Sequence, residues 1–311
     1  MDTLASPRDL PVLVFVNRVA SRNRARSYLP HLQTLFESLG VRAKFVETNS
    51  AAELELKSRL GVDQNHRVLL ALGGDGTFQA LVNGVYGSGV TIGILPAGGG
   101  NDFAAALGLP SDPVSAAQVI FKGKPRSVDL VRVRTADGRT RLYAGGGGIG
   151  LDAEAARFAS GPYRRLPGRL RYIASALRAL SGYVPFRVRL EFPGTDHAAV
   201  EAVSLVAGVL NTPTYGAGVR LAPHAQIDDG LLDVILLEDL RALSVLKLLP
   251  RLLSTGELLT SKVKRWGVRS VRITADRPCL FHGDGEILGP APVEIGVVPS
   301  AVRVLAPVQD P

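Results

Sequence analysis

Cysteine is almost absent from this chain of 311 residues, where Cys279 stands alone. One thiol excludes an intramolecular disulfide scaffold and a zinc site built on a cysteine cluster, and it fits a reducing compartment. Long apolar runs are missing too, since no stretch reaches the roughly 18 residues of a membrane-spanning helix. Met1 to Leu10 carries two Asp and no long apolar core, so it does not read as a signal peptide. A G-x-x-x-x-G-K-[ST] phosphate loop is absent, and so is the His-Arg-Asp with Asp-Phe-Gly set of protein kinases. With 46% hydrophobic and 21% charged residues, the composition is that of one or two globular domains. A soluble, basic, cytoplasmic protein is expected.

Acidic residues are also missing from one particular stretch. Between Arg157 and Arg189 lie eight arginines (157, 164, 165, 169, 171, 178, 187 and 189), with no lysine and no acid. Taking these eight from the 36 basic residues leaves 28, equal to the 28 acidic residues of the whole chain. The net charge of +8 is therefore a local feature. Such a block suits an anionic partner, whether membrane surface, nucleic acid or phosphate, or else a solvated helix face. Nucleic acid is not expected, because no recognisable binding module accompanies the block.

What is present is an alternation of strands and helices over the first 125 or so residues. Val12–Val16, Val41–Glu47, Val68–Leu72 and Thr91–Leu95 read as strands. Helical stretches at Ala25–Leu39, Ala51–Leu60, Phe78–Tyr86 and Val114–Lys122 lie between and after them. That order predicts an α/β domain with a mostly parallel sheet, which binds ligands beyond the carboxyl ends of its strands. From about Val128 the pattern becomes β-rich: Val128–Arg134, Leu142–Gly145, Phe186–Phe192, Val200–Leu210, Leu232–Leu237, Val268–Thr274 and Pro292–Val297. Only Arg169–Leu180 and Leu243–Leu253 read as strong helices there. The expected domains are residues 10–135 and a β-rich, sandwich-like 136–307, with the C-terminal tail a candidate to return to the first.

Three glycine-rich motifs could carry chemistry. Gly73-Gly74-Asp75-Gly76-Thr77 follows a strand and opens a helix, where glycines admit a ligand to the backbone and free N–H groups favour phosphate. An acid in such a loop would repel phosphate unless a divalent cation stands between, so Asp75 suggests Mg²⁺-nucleotide. Gly98-Gly99-Gly100-Asn101-Asp102 follows the next strand, so the two loops are expected to converge. His282-Gly283-Asp284-Gly285-Glu286 reads either as an Asp-Gly hairpin turn or, if it folds against phosphate loops, as the seat of a general base, Glu286. His282 borders this motif; the other four histidines are scattered singly.

Together these residues resemble the bacterial diacylglycerol-kinase-like lipid kinases, which are related to sphingosine kinases. The likeness runs from Val12 to Pro307. It includes Asn101-Asp102-Phe103-Ala104, Asp129, Asn211 through Tyr215-Gly216, Ala222-Pro223, Asp228-Asp229-Gly230-Leu231-Leu232-Asp233 and Asp284-Gly285-Glu286. It implies ATP-dependent phosphorylation of a lipid hydroxyl at an anionic membrane surface, by a peripherally associated enzyme whose ATP sits between its domains. Residues 73 to 79, with Asn17, Thr48, Gly98, Gly99 and Asn101, would contact nucleotide. Glu286 would accept the proton, with Asp75 and Asp284 as further catalytic candidates; Asp75 as base with Glu286 supporting a metal stays open. Asp229 with the carbonyls of Gln226 and Leu231 matches a structural Mg²⁺ site, and Asp102 and Asp129 match a water–metal network. A homodimer is left open.

The chain departs from the family pattern at Arg18 after Asn17, at Gly99, at Ala80 and at Ala105, and each departure removes one polar contact. Two rival readings follow. NAD kinases share the Gly-Gly-Asp-Gly-Thr loop, although the Asp284-Gly285-Glu286 triplet favours the lipid branch. A non-catalytic nucleotide-binding member of the fold is the other. Gly145 to Gly150 also fits G-x-G-x-x-G, but arginines stand where a ribose-binding acid belongs.

Overall fold

The computed structural model describes residues 10–18, 24–163, 165–166, 168–216, 218–238 and 260–308, together with residues 240, 251 and 255. The helix expected at Leu243–Leu253 lies outside the described residues except for Arg251, and Arg164 lies outside them as well. The chain forms two compact units, Met1–Val128 with Ser300–Pro311, and Asp129–Pro299.

The first unit holds strands β1 (Val12–Asn17), β2 (Ala43–Thr48), β3 (Val68–Gly73) and β4 (Thr91–Pro96). All four are parallel, in the order β4-β3-β1-β2. β3 and β4 are buried at every residue, as expected of continuous apolar strands with both sheet faces covered. The helices are α1 (Arg24–Ser27), α2 (Leu29–Ser38), α3 (Ala51–Asp63), α4 (Asp75–Val85), α5 (Asp102–Ala106) and α6 (Pro113–Ile120). The helix expected at Ala25–Leu39 is two, because Pro30 occupies the first turn of α2. Its ring has no N–H to continue α1 and would crowd the carbonyl four residues back. α3 begins where its residues demand: Ser50 Oγ accepts the Glu53 N–H at 3.1 Å, and Glu53 accepts the Asn49 N–H at 2.7 Å.

In the second unit the chain runs through β5 (Lys124–Arg134, which crosses into it), β6 (Thr140–Tyr143), β7 (Gly146–Gly150), α7 (Leu151–Ser160), α8 (Gly168–Leu180), β8 (Phe186–Glu191) and β9 (Val200–Leu210). Then come β10 (Leu232–Glu238), β11 (Val263–Val268), β12 (Ser270–Ala275), β13 (Leu280–Gly283), β14 (Glu286–Pro290) and β15 (Val293–Ala306). Neighbours pair antiparallel in the order β14-β13-β7-β9-β8-β12-β15, and β10 joins β9 to β11. The end of β15 belongs to the first unit, where Arg303 and Val304 pair in parallel with Thr91 and Ile92 of β4. The expected fold class, α/β followed by a β-rich region, is the observed one.

Several assignments differ from the expectation: α7, β13 and β14 are elements it did not include, and the strand expected at Leu142–Gly145 is β6, ending at Tyr143. Val268–Thr274 is divided between β11 and β12, and the glycine-rich passage is a strand, β7, paired on both sides by β9 and β13. That pairing removes the dinucleotide-turn reading of Gly145 to Gly150. The arginine block is also divided. In β8 the side chains alternate, with Phe186, Val188 and Leu190 buried and Arg187 and Arg189 exposed. Arg189 is held by Glu191 at 2.9 Å and Glu201 at 2.8 Å. These two arginines are the outer face of a strand, apart from the helical part of the block.

Candidate active site

The two glycine loops of the first unit are built onto one another. α4 starts at Asp75 with Gly74 as its N-cap, three residues before the expected start, since the glycines themselves form the first turn. The Ala97 N–H donates to the Gly73 carbonyl at 2.8 Å, carrying the β3–β4 pairing into the loops. A Cβ built on Gly98 would stand 2.5 Å from the Gly74 Cα, so glycine is required for this backbone approach. Asn101, at φ +63, accepts the Gly98 N–H at 3.0 Å and donates to the Gly98 carbonyl at 3.2 Å.

Asp75 ties the loops together. Its carboxylate accepts the backbone N–H groups of Asn101 at 2.8 Å, Asp102 at 3.3 Å and Phe103 at 3.1 Å. Burial, and then the nearby charge of Asp102, push its carboxyl up to about 6 against those three hydrogen bonds. Behind the loops, the rings of Phe78 and Phe103 stack at 4.6 Å, locking α4 to α5. Asn17, at the end of β1, donates to Thr77 Oγ1 at 2.9 Å. This bond crosses between β1 and β3, where the strand order reverses and sheets of this kind open a ligand crevice. Thr48 is buried, and its hydroxyl faces the Val16 carbonyl at 3.5 Å. Gly76 and Gly99 are partly exposed on these loops.

In the second unit the Asp284-Gly285 pair makes a hairpin turn between β13 and β14, with φ of +50 and +84. Both residues need the left-handed region, which is why an Asp-Gly pair sits there. The turn is also pinned from below. Asp284 accepts the N–H groups of Ala144 at 2.9 Å, Gly145 at 3.0 Å and Gly146 at 3.1 Å, and its own N–H donates to the Gly146 carbonyl at 2.8 Å. Glu286 opens β14 with its side chain reaching solvent. Loss of part of its hydration to the surrounding protein raises its carboxyl, while Arg171 and His282 pull it down.

Beneath that turn lies a cluster that the sequence did not disclose. The Tyr215 hydroxyl donates to Asp152 Oδ2 at 2.9 Å and contacts His282 Nε2, which is itself 3.3 Å from Asp152 Oδ2. His282 Nδ1 is buried without a hydrogen-bond partner among the described residues. No spacing signal links Asp152, Tyr215 and His282, since they lie 63 and 67 residues apart and meet only through β7, β9 and β13.

Asp129, 1% exposed, accepts the Gly230 N–H at 2.7 Å. Asn211 then donates to the Asp129 carbonyl at 3.2 Å and the Ala144 carbonyl at 3.1 Å, linking the 227–231 turn to the backbone that holds Asp284. Asp229 accepts the Leu231 N–H at 2.9 Å; Asp229 and Leu231 lie on that turn and Gln226 directly precedes it, all three exposed. Among the described residues no group of three or more His, Cys, Asp or Glu side chains is placed to hold a metal. No helix among them is long and apolar enough to cross a membrane.

Comparison with known proteins matches residues 11–133 to the Diacylglycerol kinase catalytic domain, and residues 147–306 to the YegS C-terminal NAD kinase beta sandwich-like domain. A Diacylglycerol kinase of Mycobacterium tuberculosis is 29% identical over 77% of this chain and 76% of its own. A Probable lipid kinase YegS-like protein of Stenotrophomonas maltophilia is 28% identical over 95% of both chains. A putative diacylglycerol kinase from Bacillus anthracis shares the fold, with a TM-score of 0.76 at 19% identity over 96% of this chain and 98% of that one. The chain therefore belongs to the lipid kinase family that joins a diacylglycerol kinase catalytic domain to a YegS-type C-terminal domain.

Proposed function

We propose that the protein transfers the γ-phosphate of ATP to the hydroxyl of a lipid, diacylglycerol or a related acceptor, at a membrane surface. The observation that carries this reading is the pair of glycine loops at the carboxyl ends of β3 and β4, pressed together at Gly74 and Gly98 and bracketed by Asp75. The first-turn amides of α4, at Asp75 and Gly76, belong to the set that an α-helix leaves without intrahelical partners, and they suit phosphate oxygens. The hydroxyl of Thr77, steered by Asn17, and the side chain of Asn101 border the same loops.

Both carboxylate oxygens of Asp75 and of Asp284 accept backbone N–H groups, which suits positioning. Glu286 reaches solvent and its raised carboxyl lies closer to neutral pH, which suits the proton acceptor for the lipid hydroxyl. Phosphoryl transfer needs little more from the protein than position and charge stabilisation. Asp229 with the carbonyls of Gln226 and Leu231 offers an all-oxygen donor set, the kind that a hard cation such as Mg²⁺ prefers. When bound there it would brace the turn that Asp129 anchors; Mg²⁺ carried by the nucleotide would neutralise phosphate charge near Asp75 and Asp102.

The test is transfer of labelled phosphate from ATP and from GTP to mixed micelles containing diacylglycerol, ceramide, sphingosine or phosphatidylglycerol, with NAD as a soluble acceptor. Transfer to one of the lipids is expected. Transfer to NAD alone would replace the reading with an NAD kinase, and nucleotide binding without any transfer would reduce it to a non-catalytic member of the fold.

A further inference from the structure

α7, the end of α8 and the residues entering β13 line a half-open cavity of about 580 Å³ in the second unit. None of its lining residues belongs to the groups assigned above to phosphate transfer. Its charged lining is three guanidinium groups, Arg157, Arg178 and Arg277, against one carboxylate, Glu154. Arg157 is paired with Glu154 at 2.8 Å, so two positive charges remain in excess.

Those two are held by neutral partners. Arg178 donates to Ser181 Oγ at 3.1 Å, and Arg277 donates to the Val184 carbonyl. Arg157 and Arg178 lie 4.7 and 5.3 Å from the centroid of one ring, Phe158, and Arg277 lies 5.3 Å from that of Phe186. Aromatic faces and neutral oxygens orient guanidinium groups without cancelling their charge. The uncharged lining includes apolar side chains that reach the surface: Val184 is 62% exposed and Leu280 41% exposed. A fixed cationic wall beside exposed apolar side chains matches a ligand with the same two halves.

We propose that this cavity binds an anionic amphiphile, an alkyl or acyl chain ending in a carboxylate or a phosphate monoester. The guanidinium groups of Arg178 and Arg277 take the anion, and Phe158, Val184 and Leu280 take the chain. The two head groups share one chemistry, charge-assisted hydrogen bonds from planar donors. They differ in source, one being a free fatty acid and the other a phosphorylated lipid.

Cys279 lines the cavity and is the only thiol in the chain, so it reports occupancy directly. Burial raises its thiol above the ordinary value, so labelling runs at mildly alkaline pH. The rate of maleimide labelling of the whole chain is measured with dodecyl phosphate, dodecanoate, dodecanol or inorganic phosphate, each below its aggregation limit. Dodecyl phosphate or dodecanoate is expected to half-protect the thiol at a concentration about tenfold below that of dodecanol, with inorganic phosphate far weaker. The better of the two anions identifies the source. Equal protection by dodecanol, or protection by none, overturns the proposal. Arg178→Gln should remove the preference for the anion while leaving protection by dodecanol, and an unchanged preference in that variant also overturns it. Because no phosphate transfer is read, failure here leaves the kinase proposal standing, and the reverse.

Discussion

Asp75, Gly98 and Glu286 are each set by what stands within a few ångströms. Asp75 serves three backbone donors, so Asp75→Asn should cost about 1–3 kcal/mol in chemical denaturation. Its carboxyl is raised to about 6 from 3.8, so the folded chain holds this proton more tightly than the unfolded one. The ionised group therefore weighs on stability above about pH 6, and that burden lifts as pH falls toward 3.8. The advantage of the wild type over Asp75→Asn should accordingly be larger near pH 5 than near pH 7.5; equal advantages would deny the shift. Gly98→Ala would drive a methyl group into Gly74, and loss of nucleotide affinity beside a destabilisation of about 1–3 kcal/mol is expected. Glu286→Gln should lower kcat by about 10²–10⁴ with the ATP dissociation constant unchanged. In the wild type kcat should rise with pH through a limb above the ordinary glutamate value, because the proton acceptor must be ionised and its carboxyl is raised. A limb that survives in Glu286→Gln would remove it from that role.

At the level of elements, the β13–β14 hairpin is the piece whose position decides where Glu286 stands. Asp284→Ala leaves three backbone N–H groups without their acceptor, and should cost both stability and turnover, read together by denaturation and by kcat. The turn itself was legible, since Asp-Gly between apolar runs signals a hairpin. β7 was not legible, because four of its five residues are glycine, which strands normally disfavour. The structure shows why glycine stands there: a Cβ on Gly148 would lie 2.3 Å from Asp152 Oδ2, and one on Gly146 would lie 2.7 Å from the Tyr215 ring. The same absence of side chains that hides the strand makes room for the partly buried Asp152–Tyr215–His282 cluster.

On the scale of the whole molecule, the question is where the +8 acts. Arg187 and Arg189 are a strand's outer face, and Arg157 and Arg178 line a cavity. Arg164, Arg165, Arg169 and Arg171 are the candidates that the sequence offers for docking on anionic lipid, Arg171 in addition to its electrostatic effect on Glu286. Neutralising those four should weaken binding to vesicles containing phosphatidylglycerol by about 1 kcal/mol for each arginine that meets the surface, less so as salt rises. ATP affinity should be unaffected. Neutralising Arg187 and Arg189 serves as the comparison and should change vesicle binding little; if it weakens binding as much, the docking surface lies on β8.

By itself the sequence determined the class of the molecule. Continuous apolar strands between amphipathic helices require a parallel sheet covered on both faces, and glycine loops after successive strands of such a sheet fall at one edge of it. The concentration of the positive net charge in one stretch was likewise readable from the order of the residues alone. What each charge touches follows from the folded chain. Asp75 and Asp284 serve backbone donors, and Arg157, Arg178, Arg187 and Arg189, close in sequence, serve different surfaces. A hydrogen bond depends on positions in space to within a few tenths of an ångström, and residues 63 or 139 apart reach that distance only after the sheet has formed.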